Sequence, residues 1–404
     1  MEGKEISLFE DKAQCCACGA CVNICPKNAI SMELDECGYA YPQINKDKCV
    51  GCGACKKVCA FQNVIEKEGA KEVYASARKD TKKIFKSTSG GIFAVLAENI
   101  LQKGGIVYGA SMELVDGKLI IKHVGVDKLE ELPKLQESKY VQSQIGFIYN
   151  EIKDKLQTGV NVLFSGTPCQ VAALKTFLNK EYDNLFTVDI ICHGVPNQCF
   201  FQCSMELLEK TFDGRIVEFK FRDKEKSWGH GKSKIVCVEE TGETKEHYLM
   251  SSEYTYYDLF LNGLISRENC YHCKYTNNHR PGDITIGDYW GIAKMHPEFI
   301  STNGGKLVPE NGISALIVNT DKGIQYLQEV KNELILCQSD FEKVAKANAQ
   351  LREPCKYHVE RDYVLKLYRE KGYDSVHRFA LKQIKKRAIK AKIKGTIKKI
   401  LHKK

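Results

Sequence analysis

The chain has 404 residues, 43% of them hydrophobic and 27% charged. That is enough for a large core in two or three domains, and it excludes collagen, coiled coil and wholesale disorder. The formal charge is +9, but Lys382 to Lys404 holds 11 Lys/Arg and no Asp or Glu, leaving 49 basic against 51 acidic residues elsewhere; basicity confined to a tail argues for no nucleic-acid partner.

The N-terminal stretch has no apolar signal region, and no apolar run is long enough to cross a bilayer. A cytoplasmic location is therefore expected. In that reducing setting 19 cysteines point to metal or redox-cofactor ligation rather than to disulfides.

Ten of the cysteines fall in the first 60 residues. Cys15, Cys18, Cys21 and Cys25 follow C-x2-C-x2-C-x3-C, with Pro26 next. Cys49, Cys52, Cys55 and Cys59 repeat the spacing, with Ala60 in place of proline. This is the run that holds two 4Fe-4S clusters in bacterial ferredoxins: three closely spaced thiolates wrap one cubane, and the fourth reaches the other. Cys15, Cys18, Cys21 and Cys59 are thus expected to bind cluster one. Cys49, Cys52, Cys55 and Cys25 are expected to bind cluster two. C-x2-C is also zinc spacing, but zinc motifs rarely carry four cysteines at 2-2-3 spacing, and rarely twice. Cys16 and Cys37 lie outside the pattern and read as small buried residues. Lys56 and Lys57 put positive charge beside cluster ligands, or form a solvated face.

Beyond residue 71 the pattern is mixed α and β. Ser89–Lys103 reads as a helix and Ile106–Ala110 as a strand, with a hairpin turn at Asp116-Gly117. Ile145–Gln157 reads as an amphipathic helix. A strand over 160–164 runs through Ser165-Gly166-Thr167-Pro168-Cys169-Gln170 into a helix ending near Lys180. Leu185–Cys192, Arg215–Phe221, Ser233–Val238 and Asp283–Gly287 read as further strands. From Asp321 onward the chain reads as mainly helical.

Pro168 suits a first helical position, and exposed N–H groups there favour an anion or thiolate at Cys169. Cys270 and Cys273 form a lone C-x2-C. Together with Cys169 and Cys192 they supply four thiolates, enough for a third 4Fe-4S cluster. Zinc at Cys270/Cys273, or Cys169 as a nucleophile beside His193, are the alternatives. No G-x-G-x-x-G follows a strand and no P-loop occurs, which disfavours a nicotinamide or P-loop nucleotide site. Ser87-Thr88-Ser89-Gly90-Gly91 opens a helix, as a phosphate or flavin cradle or as a plain N-cap.

The blocks STSGGIFA, SKYVQS, FSGTPCQVAALK, DIICHGVP, FRDK, CYHCKY and RPGDITIGDYWG occur in this order. Together they resemble the β-subunit family of coenzyme F(420) hydrogenases and dehydrogenases, with a two-cluster ferredoxin domain in front, from about Gln14 to about Gly291. The resemblance implies an FAD-containing iron–sulfur oxidoreductase. It implies flavin contacts from Ser89, Gly90 and Gly91, from Lys139, Tyr140, Val141, Gln142 and Ser143, and from Gly166, Thr167, Pro168 and Gln170. It implies cluster or flavin roles for Cys169, Cys192, His193, Cys270 and Cys273, with His193 the candidate proton donor. Arg222, Asp223, Lys224 and Trp228 could meet an acidic or aromatic substrate, or form a strand-end charge cluster. The chain departs from the family at Asn197 and at Ser266-Arg267-Glu268-Asn269.

The expected fold is mixed α/β (α+β): a ferredoxin-type domain over 1–68, a mixed-sheet FAD/iron–sulfur domain over 69–320, and a helical region with a basic tail over 321–404. The expected function is an iron–sulfur flavoprotein oxidoreductase acting on a small substrate, with surface-polysaccharide synthesis as a candidate setting. The alternative is an electron-transfer subunit of a larger redox complex. Expected partners are a ferredoxin-like or other redox protein and a small-molecule substrate. The tail pattern of Leu381, Ile384, Ala388, Ile389, Ile393, Ile397, Ile400 and Leu401 reads as a basic amphipathic helix, either on the inner face of an anionic membrane or packed on the protein body.

Overall fold

The structure is a computed structural model that describes residues 7–64, 68–224, 232–251 and 253–401. Trp228 lies outside the described residues.

The N-terminal part consists of α1 (Ala20–Ile24), the antiparallel hairpin β1 (Ile30–Leu34) and β2 (Ala40–Ile44), and α2 (Ala54–Lys57). Gly19 and Gly53 begin the two short helices at φ 78° and 72°, a left-handed conformation open to glycine at little cost. These turns let each cysteine run coil back on itself.

An eight-stranded sheet forms the centre. In chain order its surroundings are β3 (Glu72–Arg78), α3 (Thr81–Ile84), α4 (Ile92–Gln102), β4 (Ile106–Val115), β5 (Lys118–Val126), α5 (Ile148–Gln157), β6 (Val162–Gly166), α6 (Pro168–Leu178) and β7 (Leu185–Ile190). After α7 (Gln198–Phe212), the strands β8 (Arg215–Lys220), β9 (Lys232–Val238) and β10 (Thr244–Met250) form a separate antiparallel sheet. Next come α8 (Thr255–Leu261), β11 (Ile284–Asp288), α9 (Ile292–Met295), β12 (Ser314–Val318), α10 (Asp321–Val330), β13 (Leu334–Gln338), α11 (Phe341–Ala347), α12 (Arg361–Lys371) and α13 (Tyr373–Leu401).

The large sheet has the order β13-β3-β12-β11-β7-β6-β4-β5. Its middle, β11-β7-β6-β4, is parallel, and its flanks are antiparallel. Val162, Leu163 and Phe164 of β6 are all fully buried, the unbroken apolar run expected of a strand covered on both faces. The carboxyl ends of parallel strands are where open α/β sheets bind ligands. Here those ends belong to β6, β7 and β11.

The sheet continues past residue 320, because β13 pairs with β3 in register Leu336↔Ser76. The expected boundary at 320 therefore falls inside this sheet. Leu334 is buried among the residues of α4 and α10, so β13 is an edge strand whose short apolar run is easily mistaken for part of a helical region. The β10 strand is a further addition that the sequence reading lacks; its residues are only partly buried.

The N-terminal part is not a loose appendage. Cys16, Cys18, Ala20, Val58 and Phe61 share one core with Tyr149, Val171, Phe177 and Tyr275. Tyr275 Oη donates to Ala60 O at 2.7 Å, and Thr176 Oγ1 donates to Val58 O at 2.8 Å. Asn150 Nδ2 also bonds Asn23 O at 3.1 Å. The cysteine-rich part is thereby fixed against α5 and α6.

The C-terminal helix α13 packs through Tyr373, Val376 and Ala380. From Lys385 to Lys394 its side chains are exposed, including Ile389 and Ile393. Among the described residues no helix is long and apolar enough to cross a membrane.

Candidate redox centre

The eight cysteines of the two runs line two neighbouring cavities. Cys15, Cys18, Cys21 and Cys59 line one, together with Cys16 and Cys55. Cys25, Cys49, Cys52 and Cys55 line a second. Each fourth cysteine thus crosses to the other set. Backbone N–H groups point at these sulfurs: Ala17 to Cys15, Ala20 to Cys18, Lys56 to Cys55, and Ala29 to Cys25 at 3.3 Å. Such bonds stabilise thiolates and tune cluster potentials. Burial and then neighbouring thiols raise the Cys21 pKa, which marks the crowding of four sulfurs around one space. Among the described residues no three His, Cys, Asp or Glu side chains are set to share a single metal ion. Four thiols around each cavity are a donor set that fits a cubane cluster. Lys56 and Lys57 are exposed.

Cys169, Cys192, Cys270 and Cys273 also come together. Burial pushes the Cys192 thiol up to about 12, with Cys169 and Cys273 adding to it. Burial likewise raises Cys270, assisted by Cys192, Cys273 and Cys169. Gly194 lies in the turn after Cys192 at φ 105°, where an added Cβ would lie 3.4 Å from Cys270 Cβ. Its N–H approaches Cys192 Sγ at 3.4 Å. Four thiols together are a donor set that suits a third cluster, although only Cys169 and Cys192 line the neighbouring cavity. Cys169 is lowered to about 7, mainly by a hydrogen bond with Cys16, and Thr167 Oγ1 stands 3.1 Å from its sulfur.

This neighbour gives Cys16 an unexpected place. It is buried, and both Cys169 and Cys18 raise its pKa. The reading of Cys16 as an ordinary small buried residue holds for its burial but misses this junction. Nothing in the spacing could have revealed it, because the contact spans two domains.

At the carboxyl ends of β6, β7 and β11 lies a cavity of about 280 Å³, just below the ~300–1,000 Å³ usual for small-molecule sites. Ser89, Gly91, Lys139, Tyr140, Val141, Gln142, Ser143, Gly166, Thr167, Gln170 and His193 all line it, as do Cys169 and Cys192. Two expected flavin contacts do not. Pro168 is buried in the first turn of α6. Gly90 faces away: an added Cβ would lie 2.5 Å from Ser76 O and 3.0 Å from Ser314 N. It serves to seat the turn, with its N–H bonded to Ser314 Oγ at 2.9 Å.

The lining suits a dinucleotide flavin. The first turn of α4, with Ile92, Phe93 and Ala94 at the cavity, carries no side-chain cap. Unbonded N–H groups at a helix start bind phosphate. Ser87 Oγ is buried there without a partner. Lys139 lies at the cavity wall, its pKa lowered to about 8 by burial. Ile92, Leu135, Val141, Ile190 and Ile286 give the walls an apolar face.

His123, absent from the expected site, closes the floor. Its Nε2 donates to Ser165 O at 3.0 Å, which leaves Nδ1 to accept from Ser143 Oγ at 2.9 Å. Gln170 Nε2 donates to the same hydroxyl at 3.1 Å. Burial lowers the His123 pKa to about 4, so the ring is neutral near pH 7. A lone histidine in an alternating strand carries no sequence signal for such a role.

His193 reaches the cavity, but both ring nitrogens are engaged. Nδ1 meets Gln350 Nε2 at 2.6 Å and Nε2 meets Leu261 O at 3.2 Å. Arg222 pairs with Asp288 at 2.6 Å on the cavity wall, with Trp290 5.8 Å from its guanidinium carbon. Lys224 donates to the carbonyls of Ile84, Ser89 and Asn311, behind the Ser89 turn.

Residues 159–344 match the family model for the C terminus of the coenzyme F(420) hydrogenase/dehydrogenase beta subunit, and residues 14–63 match that of the 4Fe-4S dicluster domain. No curated protein is significantly similar. Among solved structures, one similar chain comes from a xenon-derivatised F(420)-reducing nickel–iron hydrogenase complex from Methanosarcina barkeri. It is 16% identical, with 78% of this chain and 94% of that chain covered and a TM-score of 0.42, a likeness that carries no functional weight. By its two family matches, this chain carries a 4Fe-4S dicluster domain over residues 14–63 and, over residues 159–344, a region similar to the C terminus of the coenzyme F(420) hydrogenase/dehydrogenase beta subunit.

Proposed function

We propose that the chain is an iron–sulfur electron-transfer subunit in which three 4Fe-4S clusters connect a redox partner to FAD in the central cavity. The position of Cys169 carries this reading. It lines the cavity, groups with Cys192, Cys270 and Cys273, and lies near Cys16, a residue of the cysteine-rich part. The thiols of the third set therefore lie between the dicluster domain and the cavity.

FAD, when bound, converts between hydride chemistry and single electrons. The chain's own groups bind and orient it. The first turn of α4 offers N–H donors and a positive helix end to phosphate. Lys139 adds a positive charge at pH 7. Neutral His123 fixes the Ser143 hydroxyl and, through it, Gln170. The apolar walls exclude water. His193, held at both nitrogens, is proposed to fix the Cys192 loop rather than to donate a proton.

The partner at the cavity would be a deazaflavin coenzyme, and the partner at the dicluster domain a ferredoxin-like protein. A second reading gives the chain a small substrate of its own, as in surface-polysaccharide synthesis. Arg222 beside Trp290 favours it, since a cation and an aromatic face suit an anionic or ring-bearing substrate. The exposed lysines of α13 suit an anionic membrane surface. Sedimentation with anionic liposomes, intact against truncated after Arg378, tests that contact.

The functional test is stopped-flow absorbance of oxygen-free, FAD-loaded protein mixed with reduced deazaflavin coenzyme. The electron-transfer reading expects flavin bleaching, then bleaching of the broad cluster absorbance. No reduction of either by the coenzyme, with turnover of a small sugar-type substrate instead, would favour the second reading.

A further inference from the structure

Arg267 is fully buried, with 0% of its surface exposed. The other buried arginines all have a carboxylate. Arg280 pairs with Asp189 at 2.7 Å, Arg361 with Glu268 at 2.8 Å, and Arg78 with Glu98 at 2.6 Å. Arg267 has none among the described residues. Its Nε donates to Cys15 O at 3.0 Å, its Nη1 approaches Gln142 Oε1 at 3.4 Å, and its Nη2 has no partner. Its guanidinium carbon stands 4.1 Å from the centre of the Tyr41 ring.

A buried guanidinium without a counter-ion is costly, because the charge has left water and gained nothing of opposite sign. Arginine stays protonated under any working condition, so the charge cannot be shed. Some negative charge must face it. Two carbonyl or amide oxygens and a ring face supply only partial charges. Arg267 lowers the pKa of the Cys15 and Cys169 thiols and of the Tyr41 hydroxyl, and of these the thiols are the groups that carry charge as ligands. A cubane with four thiolates carries net negative charge.

We propose that Arg267 is the counter-charge of cluster one and holds its reduction potential up. Electron addition makes a cluster more negative, so a fixed positive charge beside it favours the reduced form. The guanidinium also joins the cluster to the cavity. Gln142 accepts from Arg267, donates through Nε2 to Cys16 O at 2.9 Å, and lines the cavity. Arg267 therefore acts as a positioning and tuning residue for the electron path. The inference rests on the cluster reading above.

The test is a redox titration followed by EPR on oxygen-free full-length protein, with iron counted in the same samples. Arg267→Gln should keep the iron of the parent and move one cluster transition to more negative potential. At fixed potential the reduced-to-oxidised ratio should fall about tenfold or more, about 59 mV for a one-electron couple. Arg267→Lys should stay near the parent. Gln142→Glu, which sets a carboxylate against the guanidinium, should shift the same transition in the same direction. If Arg267→Gln fails to hold iron, Gln142→Glu decides. Unchanged potentials in an iron-replete Arg267→Gln or Gln142→Glu overturn the proposal and leave the clusters standing. A parent protein without iron overturns the cluster reading itself.

Discussion

Cys16 and Cys169 lie near one another at the seam between the dicluster domain and the cavity wall, and each shifts the other's titration, Cys16 upward and Cys169 downward. One is read as a ligand and the other is not, so their substitutions should differ. Cys169→Ala should lower the iron content from about twelve per chain to about eight, four fewer for one lost cluster. Cys16→Ala should retain the full count. Chelation assays on oxygen-free protein distinguish these outcomes, and iron loss from Cys16→Ala would make that thiol a ligand.

The floor of the cavity should make stability depend on pH. An unfolded imidazole titrates near 6.5, whereas His123 is lowered to about 4 by burial. Protons thus bind the unfolded chain more readily. The stabilising contribution is full above pH 6.5 and is lost as pH falls towards 4, amounting to roughly 3 kcal/mol. His123→Gln should melt with a flatter pH dependence across that window. Parallel profiles for both proteins would rule out this linkage.

Lys139 should make flavin affinity depend on pH in the alkaline range. Its pKa is lowered to about 8 in the free protein, so the positive charge fades as pH rises from 7 to 9. FAD should bind more weakly over that interval, and Lys139→Gln should bind weakly with little pH dependence. Fluorescence titration of FAD into flavin-free protein gives both constants.

Gly90→Ala should be among the costliest single substitutions at the site. The added methyl would meet Ser76 O and Ser314 N at 2.5 and 3.0 Å, both backbone atoms of sheet strands that cannot swing aside. A loss of about 2 kcal/mol or more is expected, in the range of forced overpacking. Thermal unfolding measures it, and flavin affinity should fall as well because the turn positions α4.

The cluster cysteines were legible because ligand spacing is local and chemically narrow. The two cysteine runs alone predict the crossing of Cys25 and Cys59, and Cys59 lines the cavity of the first run and Cys25 that of the second. The segment from Ser165 to Gln170 was legible for a similar reason, since a strand, a proline at the first helical position and a helix are all short-range signals. His123, Arg267 and the Cys16–Cys169 contact were not. Each depends on which strand or domain faces it, and the residue type alone gives a stronger prior for an ordinary role. β13 and β10 were missed because edge strands bury too little to alternate cleanly.

The most direct measurement is the iron, zinc and flavin content of protein purified and loaded without oxygen. The account predicts about twelve irons, no stoichiometric zinc and one FAD per chain, with the FAD lost together with the third cluster in Cys192→Ala. Zinc in the cysteine sites, or a chain that holds iron but takes up no flavin, would contradict it.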